Sequence, residues 1–190
     1  MKVGKTLYVK DRRAWRAWLR KHHRTASEIW LVYYKKHSGK PRIPYGDAVE
    51  EALCYGWIDG IAKPVDRDCW AQRFSPRRPT SVLSEMNRER VRRLIAARRM
   101  TKAGLERIKH VFDPRKDTKK TLEWALPADI ARRLKPDAVV WRNFQLFPES
   151  YKRVRIGWIV AARPRPEAFE QRLRHFLKMT AQNKRFGMVQ

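Results

Sequence analysis

The sequence has few cysteines and no long apolar run. Its two cysteines, Cys54 and Cys69, belong to no CxxC or Cys/His cluster. A disulfide framework and a structural metal site are therefore not expected, and both thiols should be buried and reduced. No run of about 18 apolar residues is present, so no transmembrane segment is predicted. The basic N-terminal stretch also lacks the apolar region of a secretory signal, so we expect a cytoplasmic protein. We expect no bound metal and no cofactor.

Acidic residues are also scarce. Only 19 Asp and Glu stand against 45 Lys and Arg, which gives a formal net charge of +26 over 190 residues. A field of this size attracts polyanions such as RNA, DNA or anionic lipid, non-specifically and with strong salt dependence. The charge is spread along the chain, which is equally typical of a protein that covers its solvated helix faces with arginine. Both interpretations stay open.

Apolar residues are plentiful, at 43%, and their periodicity predicts the order of the elements. Helices are predicted where apolar residues recur every three to four positions, and strands where β-branched and aromatic residues alternate. Asp11, Ser84 and Thr101 precede helical patterns and suit N-cap positions. The predicted elements of the first half are a helix at 12–23, a strand at 28–36, a helix at 45–55, strands at 57–65 and 68–75, and helices at 85–99 and from 102.

Residues 113–123 contain almost no apolar side chains, which is typical of a linker. Four further helical patterns follow it. The sequence therefore predicts an α+β fold, in which a small antiparallel sheet of about three strands packs with helices and an all-helical C-terminal half follows. The corresponding domain boundaries are 1–112 for the α+β domain, 113–123 for the linker and 124–190 for the helical region.

Several segments carry a family signature. In the first half these are LCYGWIDG (53–60), QRFSPRR (72–78) and MTKAG (100–104), and in the second half LPADIARRLKPD and YKRVRIGWIVAARPRPEAFEQR. In order and spacing they resemble the YdeI/OmpD-associated (OmdA) family, also called bacteriocin-protection proteins, over nearly the whole chain. The resemblance implies a role in stress or antibacterial-peptide resistance and no particular reaction.

The chain departs from the family pattern at two places. The family usually carries S-N-W-S-x-x-N after the arginines, whereas this sequence has Leu83 where the tryptophan stands. The family usually has Thr-Arg after Arg-Pro-Glu in the tail, where this sequence has Ala168 and Phe169. A ligand-stacking role that depends on the missing tryptophan is therefore not carried over.

The segment CYGWIDG and the arginines after it form the candidate site. If the strands at 57–65 and 68–75 pair as a hairpin, residue numbers that add up to about 131 face each other. Asp59 then opposes Gln72, and the arginines lie at the sheet end, where guanidinium groups can bind phosphate or carboxylate bidentately. The candidate anion-binding residues are Trp57, Asp59, Arg73, Arg77, Arg78, Ser81, Ser84 and Asn87. No catalytic residue is assigned.

A structural interpretation of the same residues competes with the binding site. Asp59 can pair with Arg73 or Arg77 and lock the sheet onto a helix, while Ser84 serves only as an N-cap. The prolines at 76 and 79 favour a division of labour, in which Arg77 turns toward Asp59 and Arg78 faces solvent or an anion. Cys54 is a weak candidate nucleophile, because it ends a helix and has no histidine near it in sequence.

These observations favour a non-enzymatic cytoplasmic stress or resistance protein that binds an anionic partner. Nucleic acid, bound with strong salt dependence, is one such partner. Two alternatives stay open. One is a small enzyme that acts on a phosphorylated or carboxylated metabolite at the Asp59/Arg77 corner. The other is a protein-interaction module.

Overall fold

The computed structural model describes residues 2–117 and 124–187, which form two compact units. The first unit contains the described residues up to Val82 together with Val91–Val111, and the second contains Leu83–Arg90 and the described residues from Phe112 onward. The first unit is built on a sheet with helices and the second is helical, so the α+β prediction is confirmed.

The sheet of the first unit is mixed and has four strands, one more than predicted. Its strand order is β1-β2-β4-β3, with β1 parallel to β2 and the other pairs antiparallel. The strands are β1 (Thr6–Tyr8), β2 (Ile29–Tyr34), β3 (Trp57–Pro64) and β4 (Cys69–Pro76). With only three residues, β1 is too short to show an alternating pattern, and this explains why the sequence did not predict it.

The predicted register of the β3–β4 hairpin is wrong. Asp59 opposes Phe74, and Gln72 opposes Ala62 on the other side of a register shift between Asp59 and Ala62. The paired residue numbers add up to 133 or 134 and not to 131, because the turn lies later in the chain than assumed, between Pro64 and Trp70. The Gln72 side chain fills this irregularity by donating to the Gly60 carbonyl at 2.7 Å. Summed residue numbers give the register only where the turn is placed correctly and the ladder is regular, and neither is the case in this hairpin.

Helices α1 (Arg12–His22) and α2 (Tyr45–Cys54) pack on the sheet of the first unit. The Trp15 indole N–H donates to the Ala48 carbonyl at 3.0 Å, and its ring lies 5.4 Å from that of Phe74. Asp11 caps α1 through the Ala14 N–H at 2.8 Å, as predicted. This packing fixes the orientation of α1 and therefore of the polar side chains on its opposite face.

Two further helices follow the hairpin. Helix α3 (Glu85–Ala96) contributes its first turns to the second unit and the remainder to the first, and α4 (Lys102–Ile108) lies in the first unit. Thr101 caps α4 through the Gly104 N–H at 3.2 Å, and its hydroxyl donates to the Cys54 carbonyl at 2.5 Å. The predicted cap is confirmed, and it also joins α4 to the end of α2.

The second unit contains the four helices predicted for the C-terminal half. They are α5 (Ala128–Leu134), α6 (Ala138–Leu146), α7 (Glu149–Val160) and α8 (Pro166–Ala181). Their apolar faces form one core, which includes Phe144, Tyr151, Ile159 and Phe176. Of the predicted linker, residues 114–117 are helical and residues 118–123 lie outside the described residues. The domain boundaries given above stay a prediction.

Candidate anion-binding site

Trp57 and Arg73 do not take the positions that the sequence predicted. Trp57 is only 1% exposed and its indole N–H donates to the His23 carbonyl at 3.1 Å, so its side chain packs almost entirely in the core. Arg73 pairs with Glu28 at 2.7 Å. Since Asp59 opposes Phe74, the neighbouring Arg73 projects from the other face of β4. Pairing between Asp59 and Arg73 is therefore ruled out.

Asp59 and Arg77 interact through charge. The Asp59 carboxylate accepts a hydrogen bond from the Tyr45 hydroxyl. Arg77 is 1% exposed and donates to the Val82 carbonyl at 2.6 Å, while its Nε and Nη1 have no hydrogen-bond partner among the described residues. Burial lowers the pKa of Arg77, and the charge of Asp59 opposes that shift. The predicted difference in burial between the two arginines is confirmed, because Arg77 is buried and Arg78 is exposed.

The remaining predicted residues lie around the loop before α3. Ser81 belongs to the first unit, whereas Ser84 and Asn87 belong to the second. Ser84 caps α3 by accepting from the Asn87 N–H at 3.3 Å, and the Asn87 side chain accepts from Arg90 at 2.9 Å. These side chains therefore support the start of the helix, and the anion-binding role of the predicted set stays a prediction.

A different part of the first unit forms a basic cleft of about 450 Å³, here called the arginine cleft. It lies along α1 and includes the end of α2 and the segment after α3. Five of its eight lining residues are arginines and one is a carboxylate. The lining residues are Arg12, Arg13, Arg16, Ala17, Arg20, Glu51, Tyr55 and Arg99.

The buried carboxylate of Glu51 organises this cleft. Glu51 is 0% exposed and accepts from Arg12 Nε and Arg16 Nη1, each at 2.6 Å, and from Arg99 Nη2. Burial lowers the pKa of Arg12 and Arg16, but their hydrogen bonds to Glu51 outweigh it and the net shift is upward. Three permanent cations thus share one carboxylate, and the lining of the cleft keeps a positive charge.

The arginines of the cleft differ in how many hydrogen bonds and ion pairs they already form. Arg12 also bonds Asp47 at 3.0 Å and Glu50 at 2.6 Å, so its guanidinium is fully engaged. The second nitrogen of Arg16 donates to the Arg99 carbonyl at 3.0 Å. Arg13 and Arg20 are exposed and form no ion pair within residues 2–117 and 124–187. These two side chains are the ones available to an incoming anion.

The sequence contained a signal for this cleft that the motif-based prediction missed. Arg13, Arg16 and Arg20 are spaced three and four residues apart and therefore lie on one face of α1, while Trp15 and Leu19 are buried. What the spacing does not reveal is Glu51, which is brought against this face by the packing of α2.

The described part of the chain contains no preformed metal site. No group of three or more His, Cys, Asp or Glu side chains there is placed to hold a metal ion. Both cysteines are free and buried, and burial, together with the charge of Glu51, raises the pKa of Cys54. No helix among the described residues is long and apolar enough to cross a membrane.

Comparison with known proteins matches the two halves of the chain to two family models. Residues 7–107 match a family described as Domain of unknown function (DUF8412), and this span contains the whole arginine cleft. Residues 123–183 match the family described as Bacteriocin-protection, YdeI or OmpD-Associated (OmdA). Neither a curated protein nor a solved structure matches the chain.

The OmdA match confirms the resemblance through the C-terminal segments. Residues 126–137 and 151–172, which carry LPADIARRLKPD and YKRVRIGWIVAARPRPEAFEQR, lie inside it. The segments with GWIDG and QRFSPRR lie instead within the other match.

Proposed function

Because the chain belongs to the DUF8412 family of unknown function through residues 7–107, we propose its function from the arginine cleft that this span contains. The protein is a non-enzymatic binding protein that holds an anionic partner in this cleft. The OmdA match of residues 123–183 supports a bacteriocin-protection-like role in resistance, which we place in the cytoplasm.

The observation that carries this proposal is the ratio of arginines to carboxylates. Five arginines line the cleft with Glu51 alone, and Glu51 already holds Arg16 and Arg99 in place. Guanidinium groups bind phosphate and carboxylate oxygens with paired, charge-assisted hydrogen bonds. The arginines that Glu51 holds need no further ordering when the anion arrives, so the entropic cost of binding falls mainly on Arg13 and Arg20.

The lining of the cleft supports binding rather than catalysis. Both oxygens of its single carboxylate already accept hydrogen bonds from three arginines. The nearby thiol of Cys54 is 0% exposed and its pKa is raised, so it is a poor nucleophile. An enzyme at the Asp59/Arg77 corner is not favoured either, because Arg77 and Trp57 are buried.

The test reverses the charges of Arg13 and Arg20, the two exposed arginines of the cleft. In the double variant Arg13→Glu/Arg20→Glu, we expect the affinity for inorganic polyphosphate at low salt to fall by about 10²- to 10⁴-fold, since two charge-assisted hydrogen bonds worth about 1.5–3 kcal/mol each are lost. The affinity is measured by isothermal titration calorimetry. Polyphosphate is chosen because it carries phosphates and no other recognition group.

The matched control is Lys36→Glu/Arg67→Glu, which changes the net charge equally. Both side chains are exposed, belong to the first unit, and are not part of the arginine cleft. The control should lose only the small part of the affinity for polyphosphate that the overall positive charge contributes. Equal losses in the two double variants would show that the +26 charge attracts anions without a site, and the proposal would fail.

A further inference from the structure

We propose that the anionic partner is a single-stranded nucleic acid, whose backbone runs through the arginine cleft and a second cleft that meets it at Tyr55. This inference rests on the proposed function, since the arginine cleft forms one half of the track. It adds the chemistry of the partner and a second set of contact residues.

The second cleft has a volume of about 400 Å³ and lies wholly in the first unit. Tyr55 lines both clefts, so they adjoin at its side chain. The ring of Tyr55 lies 5.4 Å from the Arg16 guanidinium carbon and 5.1 Å from the His23 ring, which belongs to the second cleft. The second cleft is lined by His23, Arg24, Tyr55, Gly56, Trp57, Pro76, Ala103, Glu106 and Arg107.

Two exposed arginines lie at the second cleft without a carboxylate partner among the described residues. They are Arg24 and Arg107. The acidic residue of this cleft, Glu106, is paired with Lys109 at 2.8 Å. Gly56 has a φ of 75°, and a Cβ on it would lie 2.5 Å from Cγ of Arg107, so the glycine allows the stem of Arg107 to pack against the backbone. Gly56, the first glycine of CYGWIDG, therefore helps to place a cation at the cleft.

One row of arginines connects the two clefts. Arg13, Arg16 and Arg20 lie on one face of α1, and Arg24 continues the same spacing just beyond the helix. At a rise of about 1.5 Å per residue, the row is about 16 Å long. Phosphates follow each other every ~3.4 Å along one strand of a nucleic acid helix. The row is thus long enough to contact several consecutive phosphates, which a single small anion would not need.

The walls of both clefts favour nucleotides over bare phosphates. Ala17 and the Tyr55 ring line the first cleft, and Pro76 and Ala103 line the second, beside cationic side chains in each. A nucleotide combines a base that suits apolar walls with a phosphate that suits arginine. Single strands leave their bases free to enter such clefts, whereas a duplex keeps them stacked and paired. Polyphosphate and lipid headgroups carry no equivalent of the base.

The experiment compares the two clefts with a labelled oligothymidylate of about 12 nucleotides, which is longer than the whole row even at the helical spacing of ~3.4 Å per nucleotide. Affinity is measured by fluorescence anisotropy at several salt concentrations. The second-cleft variant is Arg24→Glu/Arg107→Glu, the first-cleft variant is Arg13→Glu/Arg20→Glu, and Lys36→Glu/Arg67→Glu is the control. Thermal melts establish that all three remain folded.

We expect each cleft variant to bind more weakly than the control. Each should also reduce the slope of log affinity against log salt by about 1.4, the value for two lost contacts to a single strand, while the control keeps the slope. A duplex of the same length and vesicles of phosphatidylserine should compete more weakly than unlabelled oligothymidylate at equal phosphate concentration.

The possible outcomes separate this inference from the proposed function. If the second-cleft variant behaves like the control while the first-cleft variant loses affinity, the track is wrong and the arginine cleft stands. If both behave like the control, both proposals fail. Equal competition by the duplex or by the vesicles would overturn the assignment to a single strand while leaving anion binding intact.

Discussion

Arg77 and Arg78 are chain neighbours in opposite environments. Arg77 is 1% exposed and keeps one hydrogen bond, to the Val82 carbonyl, whereas Arg78 is exposed. The side chain of Arg77 therefore acts mainly by filling space in the core, with Asp59 moderating the cost of its buried charge. Arg78 contributes nothing comparable to packing.

Truncation of the two arginines should have very different effects on stability. We expect Arg77→Ala to lower the free energy of unfolding by about 2–5 kcal/mol, because it leaves a cavity in a packed region. Arg78→Ala should change it by less than about 0.5 kcal/mol. Urea denaturation followed by tryptophan fluorescence measures both.

Arg77→Met separates packing from charge in this comparison. Methionine keeps much of the side-chain volume and removes a poorly paired buried cation, so its loss should be smaller than that of Arg77→Ala. If Met and Ala are equally destabilising, the charge of Arg77 matters more than its volume, contrary to this interpretation.

For single residues, contacts between positions close in sequence could be predicted, whereas contacts between positions far apart in sequence could not. The caps at Asp11, Ser84 and Thr101 depend on a residue three positions further on, which the sequence displays directly. The partner of Arg73 is Glu28, 45 residues away, and it becomes a neighbour only when β2 pairs with β4. The sequence offered Asp59 as the nearer candidate, and sheet pairing decided otherwise.

At the scale of elements, the segment MTKAG joins α4 to the end of α2. The N–H of Thr101 donates to the Cys54 carbonyl at 3.2 Å, and a Cβ on Gly104 would lie 2.2 Å from that same oxygen. Only a residue without a side chain allows the two helices to approach this closely. Gly56 of LCYGWIDG and Gly104 of MTKAG thus each allow a close contact that a side chain would prevent.

Gly104→Ala should accordingly destabilise the protein. We expect a loss of roughly 1–3 kcal/mol or more in the free energy of unfolding, because the added methyl group meets backbone that cannot move independently. Gly46→Ala is the matched control, since a Cβ there meets nothing within 4 Å and Gly46 lies in α2. The control should stabilise by about 0.4–1 kcal/mol. Similar thermal shifts for both variants would contradict the close helix contact.

Sequence patterns predicted single helices and strands but not the contacts that form between them. Helix α1 was predicted from its apolar face, and its arginine row is equally visible in the sequence. The arginine cleft was not predicted, because it needs Glu51 from α2 and Arg99 from the segment after α3. In the hairpin, the turn lies later in the chain than predicted, which moved every predicted pair, and the bulge after Asp59 adds a shift within the ladder.

For the whole molecule, the net charge and the clefts have separate roles. A charge of +26 draws polyanions from a distance and without selectivity. In the arginine cleft, Glu51 already holds Arg12, Arg16 and Arg99, and apolar side chains line both clefts beside the arginines. The charge alone was compatible with a solvated arginine surface, and the shared carboxylate is what favours a binding site.

A crystal structure with bound oligothymidylate would show whether the arginine cleft holds the anion. We expect a phosphate within hydrogen-bonding distance of the Arg13 or Arg20 guanidinium, with the strand continuing past Tyr55 toward Arg24 and Arg107. An empty arginine cleft, with the phosphates bound to other arginines such as Arg78 or those of the second unit, would contradict it.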